Sequence, residues 1–160
     1  MKLLLAALAL AAAPALAAPC DTPAHRQFDF WVGVWDVHKP DGTAVARNTI
    51  TREHGGCALR ERYATTGRPY EGESLSAYDA GHGIWHQTWV DTQGLVLLLQ
   101  GGWRDGQMVL EGTTTGADGR STRHRVIWRP LADGAVRQHW ESLADGDTWK
   151  TVFDGRYTRR

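Results

Sequence analysis

The sequence has few cysteines, no surplus of charge and no long amphipathic helix. It holds two cysteines, and its 18 basic side chains are balanced by 18 acidic ones, so the formal net charge is zero. This balance gives no reason to expect a nucleic acid or an anionic membrane as partner, since their binders concentrate Lys and Arg on one face. With 160 residues and no linker or shift in composition, the chain predicts one domain with a substantial core.

Metal-ligand spacings are also missing, although the chain has seven histidines. No His-x-His, His-Glu-x-x-His or paired cysteine motif gives a zinc pattern. His82 and His86 stand four positions apart. On one strand that spacing is a rise of about 13 Å, which is too far for shared ligation. No metal is therefore predicted.

The first residues are typical of a secretory signal peptide. Met1-Lys2 supplies the positive start, residues 3–13 the apolar run, and Ala15-Leu-Ala17 the small-residue cleavage site. The apolar run is too short to span a bilayer. We therefore expect a signal peptide over 1–17, a single mature domain over 18–160, and an exported chain that is periplasmic or secreted.

Export would take Cys20 and Cys57 into an oxidising compartment. A disulfide between them would hold the mature N-terminus against the sheet, and two buried thiols are the alternative. Lipidation of Cys20 is disfavoured, because Pro19 occupies the place where lipidation sites normally carry Gly or Ala. We predict the Cys20–Cys57 bridge.

Breaks that contain glycine divide the mature chain into short runs rich in Thr, Val, Tyr, Trp and Leu. Asp-Gly pairs favour tight turns, because glycine accepts the positive φ that such turns need. The breaks lie at 40–42, 54–56, 66–69, 79–83, 91–94, 104–106, 116–119, 131–134 and 144–147. They separate ten predicted strands, and no stretch of the mature chain sustains a helical period. The one expected helical turn lies within 22–29.

Ten sequential antiparallel strands predict an all-β fold with a single up-and-down barrel. Closure of the barrel removes the exposed edges that an open sheet would leave. A twisted sandwich is the alternative architecture.

Alternation along each strand predicts which side chains point into the barrel. In the run 121–130, Arg123, Arg125 and Arg129 share one face, so the opposite face is taken as the interior. The run 84–91 is assigned by analogy, because it shares a Gln-x-Trp pattern with 138–140. The side chains predicted to point inward are Leu59, Glu61, Tyr63, Trp85, Gln87, Trp89, His124, Val126, Trp128, Val136, Gln138, Trp140, Trp149, Thr151 and Phe153.

This predicted interior combines indole rings with polar groups. A buried amide or carboxylate without partners costs on the order of 1–3 kcal/mol, so these groups must bond to each other, to water or to a ligand. Aromatic walls with a few polar groups are typical of small-molecule sites. The predicted ligand-binding residues are Glu61, Tyr63, Gln87, Trp89, His124, Trp128, Gln138 and Trp140. A filled barrel with a self-satisfied polar network is the alternative.

Glu61 is the residue that most suggests chemistry. An acid on an inward face should have a raised pKa unless it is paired, and a raised pKa is typical of general acids. No second carboxylate or nucleophile aligns with it, and a structural hydrogen-bonding role is the alternative. Ser74 lacks the second glycine of a Gly-x-Ser-x-Gly nucleophile elbow. No catalytic residue is therefore assigned and no cofactor is predicted; a haem with His124 as axial ligand is the one cofactor alternative.

The segment Phe28-Asp-Phe-Trp-Val-Gly-Val-Trp-Asp-Val37 resembles the start of the lipocalin and calycin superfamily. In those folds a Gly-x-Trp follows a short helical turn at the beginning of the first strand. The resemblance implies structural roles for Gly33 and Trp35 at the barrel floor. It also implies that a late arginine, Arg156 or Arg159, stacks on the tryptophan.

A longer pattern is similar to a family of small exported bacterial lipocalin-like proteins of unknown function. Besides the opening, it comprises Gly55-Gly-Cys57 with Leu59 and Glu61, Trp85-His-Gln-Thr-Trp-Val-Asp91, Arg137-Gln-His-Trp140 and Phe153-Asp-Gly-Arg-Tyr157. The resemblance covers nearly the whole mature chain and implies a calycin-type barrel, but no activity. Nitrobindin-type haem barrels are more distantly similar, and their proximal haem histidine has no match here.

The expected function is that of an exported barrel that binds a small, partly apolar molecule. One alternative is an enzyme that uses Glu61 or His124 as acid or base in the cavity. Another is a structural or partner-binding envelope protein with a filled barrel. Ligand identity and oligomeric state are left open by the sequence.

Overall fold

The computed structural model describes residues 19–144 and 148–160, which form a closed antiparallel barrel. Each strand pairs with its neighbours in sequence, and the first strand closes the barrel on the last. The strands are β1 (Gly33–His38), β2 (Ala44–Glu53), β3 (Ala58–Thr65), β4 (Glu71–Asp79), β5 (Ile84–Asp91), β6 (Val96–Arg104), β7 (Gln107–Thr115), β8 (Ser121–Pro130), β9 (Val136–Leu143) and β10 (Lys150–Arg159). The predicted ten-stranded up-and-down barrel is confirmed, and the alternative sandwich is excluded.

The connections between strands fall where the glycine-containing breaks predicted them. Gly119 and Gly134, for example, both have a φ of +79°, the left-handed region that a residue with a Cβ rarely adopts. The last predicted turn, 144–147, includes residues 145–147, which lie outside the described residues. The predicted signal peptide over 1–17 also lies outside them.

Two short 3₁₀ turns, Ala24–Arg26 and Asp29–Trp31, precede β1 and close one end of the barrel. We call residues 24–31 the plug. Phe28 and Trp31 are completely buried, with ring centroids 5.0 Å apart, and Trp128 packs edge-on to Phe28 at 5.1 Å. A third 3₁₀ turn, His54–Gly56, leads into β3. Within the described residues, no helix has the length and apolarity needed to cross a bilayer.

Trp35 joins the plug to the barrel floor. Its indole Nε1 donates to the carbonyl oxygen of Trp31 at 2.9 Å, and the Arg159 guanidinium lies over its ring at 4.5 Å. A Cβ on Gly33 would stand 2.7 Å from Nη1 of Arg159, so glycine leaves room for the stacked arginine. The other candidate, Arg156, instead pairs with Asp133.

The predicted disulfide between Cys20 and Cys57 is present. It spans 37 positions of sequence and ties the segment ahead of the plug to the 3₁₀ turn before β3. Both sulfur atoms are therefore bonded, and no free cysteine occurs among the described residues.

The predicted inward faces are confirmed on β3, β5, β8 and β9 but not at the start of β10. Trp149 lies outside, with its ring under the guanidinium of Arg125 at 4.4 Å. The hydroxyl of Thr151 bonds His139 on the same outer surface. A bulge between Thr151 and Phe153 shifts the strand register by one residue. Phe153 therefore points inward as predicted, whereas the predictions for Trp149 and Thr151 are wrong.

Candidate functional site

A cavity of about 660 Å³ occupies the barrel on the far side of its floor from the plug. This volume falls within the range of typical small-molecule sites, about 300–1,000 Å³. The apolar and aromatic side chains of its wall are Val45, Tyr63, Tyr70, Trp89, Leu95, Leu97, Leu99, Val126, Trp140, Val152, Phe153 and Tyr157. Polar residues also line it, namely Glu61, Gln87 and Gln138 within the barrel and Lys39, Arg68, Asp91, Gln93, Thr151 and Asp154 near its open end. The barrel is hollow at this level rather than filled.

The cavity opens at the end of the barrel opposite the plug. Exposed residues of three turns form its rim, namely Lys39 and Pro40, Arg68, and Gln93. Next to them lies the first part of β10, because β1 pairs only with the last residues of that strand, 156–159. Val152 is therefore half exposed at the rim. The opening extends down one side of the barrel along this seam.

The aromatic wall is held together by edge-to-face contacts around Tyr63. Its ring centroid lies 6.2 Å from that of Tyr70 and 6.3 Å from those of Trp89 and Phe153. Such pairs stabilise a fold by about 0.5–1.5 kcal/mol beyond their buried area. A Cβ on Gly72 would stand 2.1 Å from the Trp89 indole, so glycine on β4 makes room for that ring. The position of Trp89 in the wall thus depends on a neighbouring strand.

Glu61 lies at the centre of a chain of buried hydrogen bonds. Its Oε1 accepts from Nδ2 of Asn48 and its Oε2 from Oγ of Ser74, both at 2.7 Å. Gln87 donates from Nε2 to Oγ of Ser74 at 3.3 Å and to Oγ of Ser76 at 3.0 Å. β2, β3 and β5 each place one inward side chain here and β4 places two, because the registers of these strands bring the five positions close together across the sheet. The hydrogen bonds thus run from Gln87 to Ser74 and from Ser74 to the Glu61 carboxylate, which accepts the last of them.

The surroundings of Glu61 change its acidity. Burial raises the pKa of Glu61 from 4.5 to about 7, and the two hydrogen bonds oppose this rise only in part. Burial also raises the pKa of Tyr63 to about 12 and that of Tyr157 well above its ordinary value. The Tyr157 hydroxyl donates to Oε1 of Gln138. Near neutral pH, Glu61 is therefore the one group of this set that exchanges a proton.

Asp91 organises the rim, at the end of β5. Its carboxylate accepts from the Tyr70 hydroxyl at 3.0 Å, from Trp89 Nε1 at 3.3 Å and from the backbone of the following turn. Partial burial raises the pKa of Asp91, but these hydrogen bonds together hold it below its ordinary value. Asp91 thus shapes the turn over 91–94 and also orients a cavity tryptophan.

Two of the predicted site residues lie away from the cavity wall. Trp128 packs against the plug and is completely buried. His124 accepts from Nε1 of Trp140 at 3.1 Å through Nδ1, which leaves Nε2 to donate to Oγ1 of Thr114 at 2.8 Å. Burial lowers the pKa of His124, which favours this neutral tautomer.

The environment of His124 does not fit a haem ligand. Both ring nitrogens are occupied by hydrogen bonds, and the side chain does not line the cavity. No group of three or more His, Cys, Asp or Glu side chains within residues 19–144 and 148–160 is arranged to hold a metal ion.

The remaining predicted residues come together in one wall: Glu61, Tyr63, Gln87, Trp89, Gln138 and Trp140. The sequence interpretation missed Asn48, Ser74 and Ser76 as partners of Glu61 and Gln87. Alternation gave a usable signal for each, because Asn48 stands between the buried residues Ala46 and Ile50, and the two serines share a face of β4. A comparison with models of known protein families found no match, and a comparison with curated protein sequences found none either.

Proposed function

We propose that this protein is an exported binding barrel whose cavity takes up a small, partly apolar molecule. The observation that carries the proposal is an open cavity of about 660 Å³ with an aromatic and aliphatic wall and only three polar groups at depth. When an apolar ligand enters a cavity lined in this way, each Å² of apolar surface removed from water makes binding more favourable by about 25 cal/mol. The polar groups would set the orientation of the ligand.

Export is supported by the disulfide between Cys20 and Cys57, since such bonds persist in oxidising compartments. The predicted signal peptide is the second support. We expect the exported chain to begin at Ala18, which N-terminal sequencing of the mature protein would test.

The binding function is tested with Nile red, a neutral fluorophore whose emission rises in apolar surroundings. Leu99 is 3% exposed and lines the cavity, whereas the preceding residue, Leu98, is 61% exposed on the outer face of the same strand. Leu99→Trp would place a larger ring in the cavity and reduce its volume, and Leu98→Trp adds the same side chain outside. The pair thus separates cavity binding from adsorption on the barrel surface.

We expect Nile red to bind the wild type and Leu98→Trp with one saturable site. Leu99→Trp should weaken that binding by about tenfold or more, because the added ring occupies the ligand's volume. Circular dichroism would verify that both variants keep the fold. Equal binding by both variants, or no saturable binding by the wild type, would contradict the proposal.

The enzyme alternative rests on Glu61, whose pKa of about 7 suits proton transfer. Both carboxylate oxygens already accept hydrogen bonds from Asn48 and Ser74. The Ser74 hydroxyl beside them is buried and is not among the residues that line the cavity, and the carboxylates Asp91 and Asp154 lie at the rim, where other partners hold them. Binding is therefore the function that this geometry favours.

A further inference from the structure

We infer that the cavity selects a cationic amine attached to an aromatic or aliphatic body, with the ammonium group placed against Glu61. This inference rests on the proposed binding function and names the chemical class of its ligand. Three features of the wall support it, namely the unpaired charge of Glu61, the direction of the hydrogen bonds around it, and the aromatic rings above it.

The charge of Glu61 has no counterion in the protein. Its side chain is only 3% exposed and its oxygens meet two neutral donors, Asn48 and Ser74. No Lys, Arg or His side chain of the described residues pairs with it. An ionised carboxylate away from water is costly unless a positive charge accompanies it. A ligand ammonium would supply that charge from the cavity side.

The other charged groups of the cavity lie at the rim or are already paired. Two other carboxylates line the cavity, and both lie at the rim: Asp154 is paired with Arg137, and Asp91 accepts hydrogen bonds from Tyr70 and Trp89. Lys39 and Arg68 are exposed rim residues, where water screens their charge. Gln138 is neutral, and its carbonyl oxygen accepts from Tyr157. Glu61 is therefore the dominant charge at depth.

The direction of the hydrogen bonds also favours a donor on the ligand. Nε2 of Gln87 and Oγ of Ser74 both point their hydrogens along the chain that ends at Glu61. Acceptor capacity remains on the Glu61 oxygens, and the buried Oδ1 of Asn48 has no partner among the described residues. The buried indole N–H groups without partners, on Trp31 and Trp128, belong to the plug region. An ammonium group would bring donors to the Glu61 carboxylate, which lines the cavity.

Aromatic rings lie next to Glu61, where they would contact both the ammonium group and the apolar part of such a ligand. Tyr63 follows Glu61 by two positions on the same face of β3, and Trp89 and Phe153 surround it. The faces of aromatic rings attract cations, most strongly when water is excluded. The same rings pack against an apolar body. The wall thus offers both halves of an amphipathic amine a partner.

Three matched ligands test the inference: naphthylmethylamine, naphthylmethanol and naphthylacetic acid, which share a ring system and differ in charge. Their affinities would be measured by calorimetry at about pH 8, where Glu61 is largely ionised in the free protein because its pKa is about 7. The variants are Glu61→Gln and, as control, Glu73→Gln, which removes an outward carboxylate paired with Arg60 on the barrel surface.

We expect the wild type and Glu73→Gln to bind the amine at least about tenfold more tightly than the alcohol, since charge-assisted hydrogen bonds are the stronger ones. In Glu61→Gln this preference should fall to about twofold or less. The acid should bind most weakly. An alcohol that binds as tightly as the amine, or an acid that binds best through the rim cations, would overturn the inference.

Proton release gives a second readout that needs no variant. Binding of an ammonium lowers the pKa of Glu61, so at about pH 6 the wild type should release part of a proton with the amine and none with the alcohol. The titratable groups that face Glu61, Tyr63 on β3 and Tyr157 on β10, have raised pKa values and stay neutral there. Calorimetry in two buffers with different heats of ionisation measures the release, and its absence would count against the inference.

Failure of the inference differs from failure of the proposed function. If Nile red binds in the cavity but the amine has no advantage, the barrel binds ligands of another class and only the inference fails. If neither Nile red nor the amine binds the wild type, both fail together.

Discussion

The amide Nδ2 of Asn48 donates to Oε1 of Glu61 at 2.7 Å, so a β2 side chain and a β3 side chain share one buried hydrogen bond. Ser74 holds the other carboxylate oxygen. These two bonds fix the position of Glu61 without removing its desolvation cost, and its pKa is raised from 4.5 to about 7 by burial. The free energy of unfolding of the barrel should therefore change with pH as Glu61 ionises.

The first prediction concerns pH. Because the folded-state pKa of Glu61 exceeds its ordinary value, its stabilising contribution is complete below about pH 4.5 and is lost as pH rises through about 7. The interval between 4.5 and about 7, at 1.36 kcal/mol per pH unit, amounts to about 3 kcal/mol. Urea unfolding of the wild type and Glu61→Gln across this range measures it, and the variant should gain relative to the wild type as pH rises.

His124 provides a contrast in the same experiment. Its pKa is lowered by burial, so its contribution is present above its ordinary value of 6.5 and falls as pH drops below that value. This dependence should be shared by the wild type and Glu61→Gln and cancel in their difference. A difference that stays constant with pH would contradict the assignment of the raised pKa to Glu61.

The second prediction concerns the closed end of the barrel. Arg159→Ala removes the guanidinium that lies 4.5 Å from the centre of the Trp35 ring, and should lower the free energy of unfolding by about 0.5–2 kcal/mol. The neighbouring Arg160 has only a long ion pair with Asp36, at 3.8 Å, and Arg160→Ala serves as the control. Equal losses in the two variants would argue against the stacking interaction.

The third prediction concerns the disulfide. Replacing Cys20 and Cys57 together by serine should lower the free energy of unfolding by about 3–4 kcal/mol, because a loop of 37 positions is no longer closed in the unfolded chain. The sequence has two cysteines, so thiol titration of the denatured, unreduced wild type should find none free. Two reactive thiols per chain would contradict the bridge.

The fourth prediction concerns the shape of the cavity. Gly72→Ala places a methyl group 2.1 Å from the Trp89 indole, which must move. We expect a loss of about 1–3 kcal/mol in stability and weaker Nile red binding. Gly102→Ala is the matched control, since a Cβ there meets nothing within 4 Å. An unchanged indole N–H resonance of Trp89 in the NMR spectrum of Gly72→Ala would show that the ring is not held as described.

Turn chemistry and alternation made most of the fold predictable. The glycine breaks gave the strand number, and outward arginines such as Arg123 and Arg129 indicated the inward face of β8. The alternation failed at Trp149 and Thr151, because it assumes an unbroken strand and a bulge shifts the register before Phe153. Two arginines also hold Trp149 outside, and their spacing across strands is invisible in one strand's pattern.

The level of each side chain along the barrel axis was less predictable than its face. Trp128 and Trp140 both point inward, but Trp128 packs on the plug whereas Trp140 lines the cavity. That difference follows from the stagger between strands, which closure of the barrel sets. The hydrogen-bond partners of Glu61 depend on the same stagger. Alternation could place Asn48 and Ser74 inside, but only the register shows that both meet Glu61.

The most direct measurement of ligand binding in the cavity is an NMR titration that follows the indole N–H resonances of the eight tryptophans. On addition of Nile red, the resonances of Trp89 and Trp140 should shift, because both rings line the cavity. Those of the completely buried Trp31 and Trp128 should stay in place. Saturable shifts confined to the two cavity tryptophans are the predicted result. Shifts confined to the outer Trp149, or none at all, would contradict the binding function.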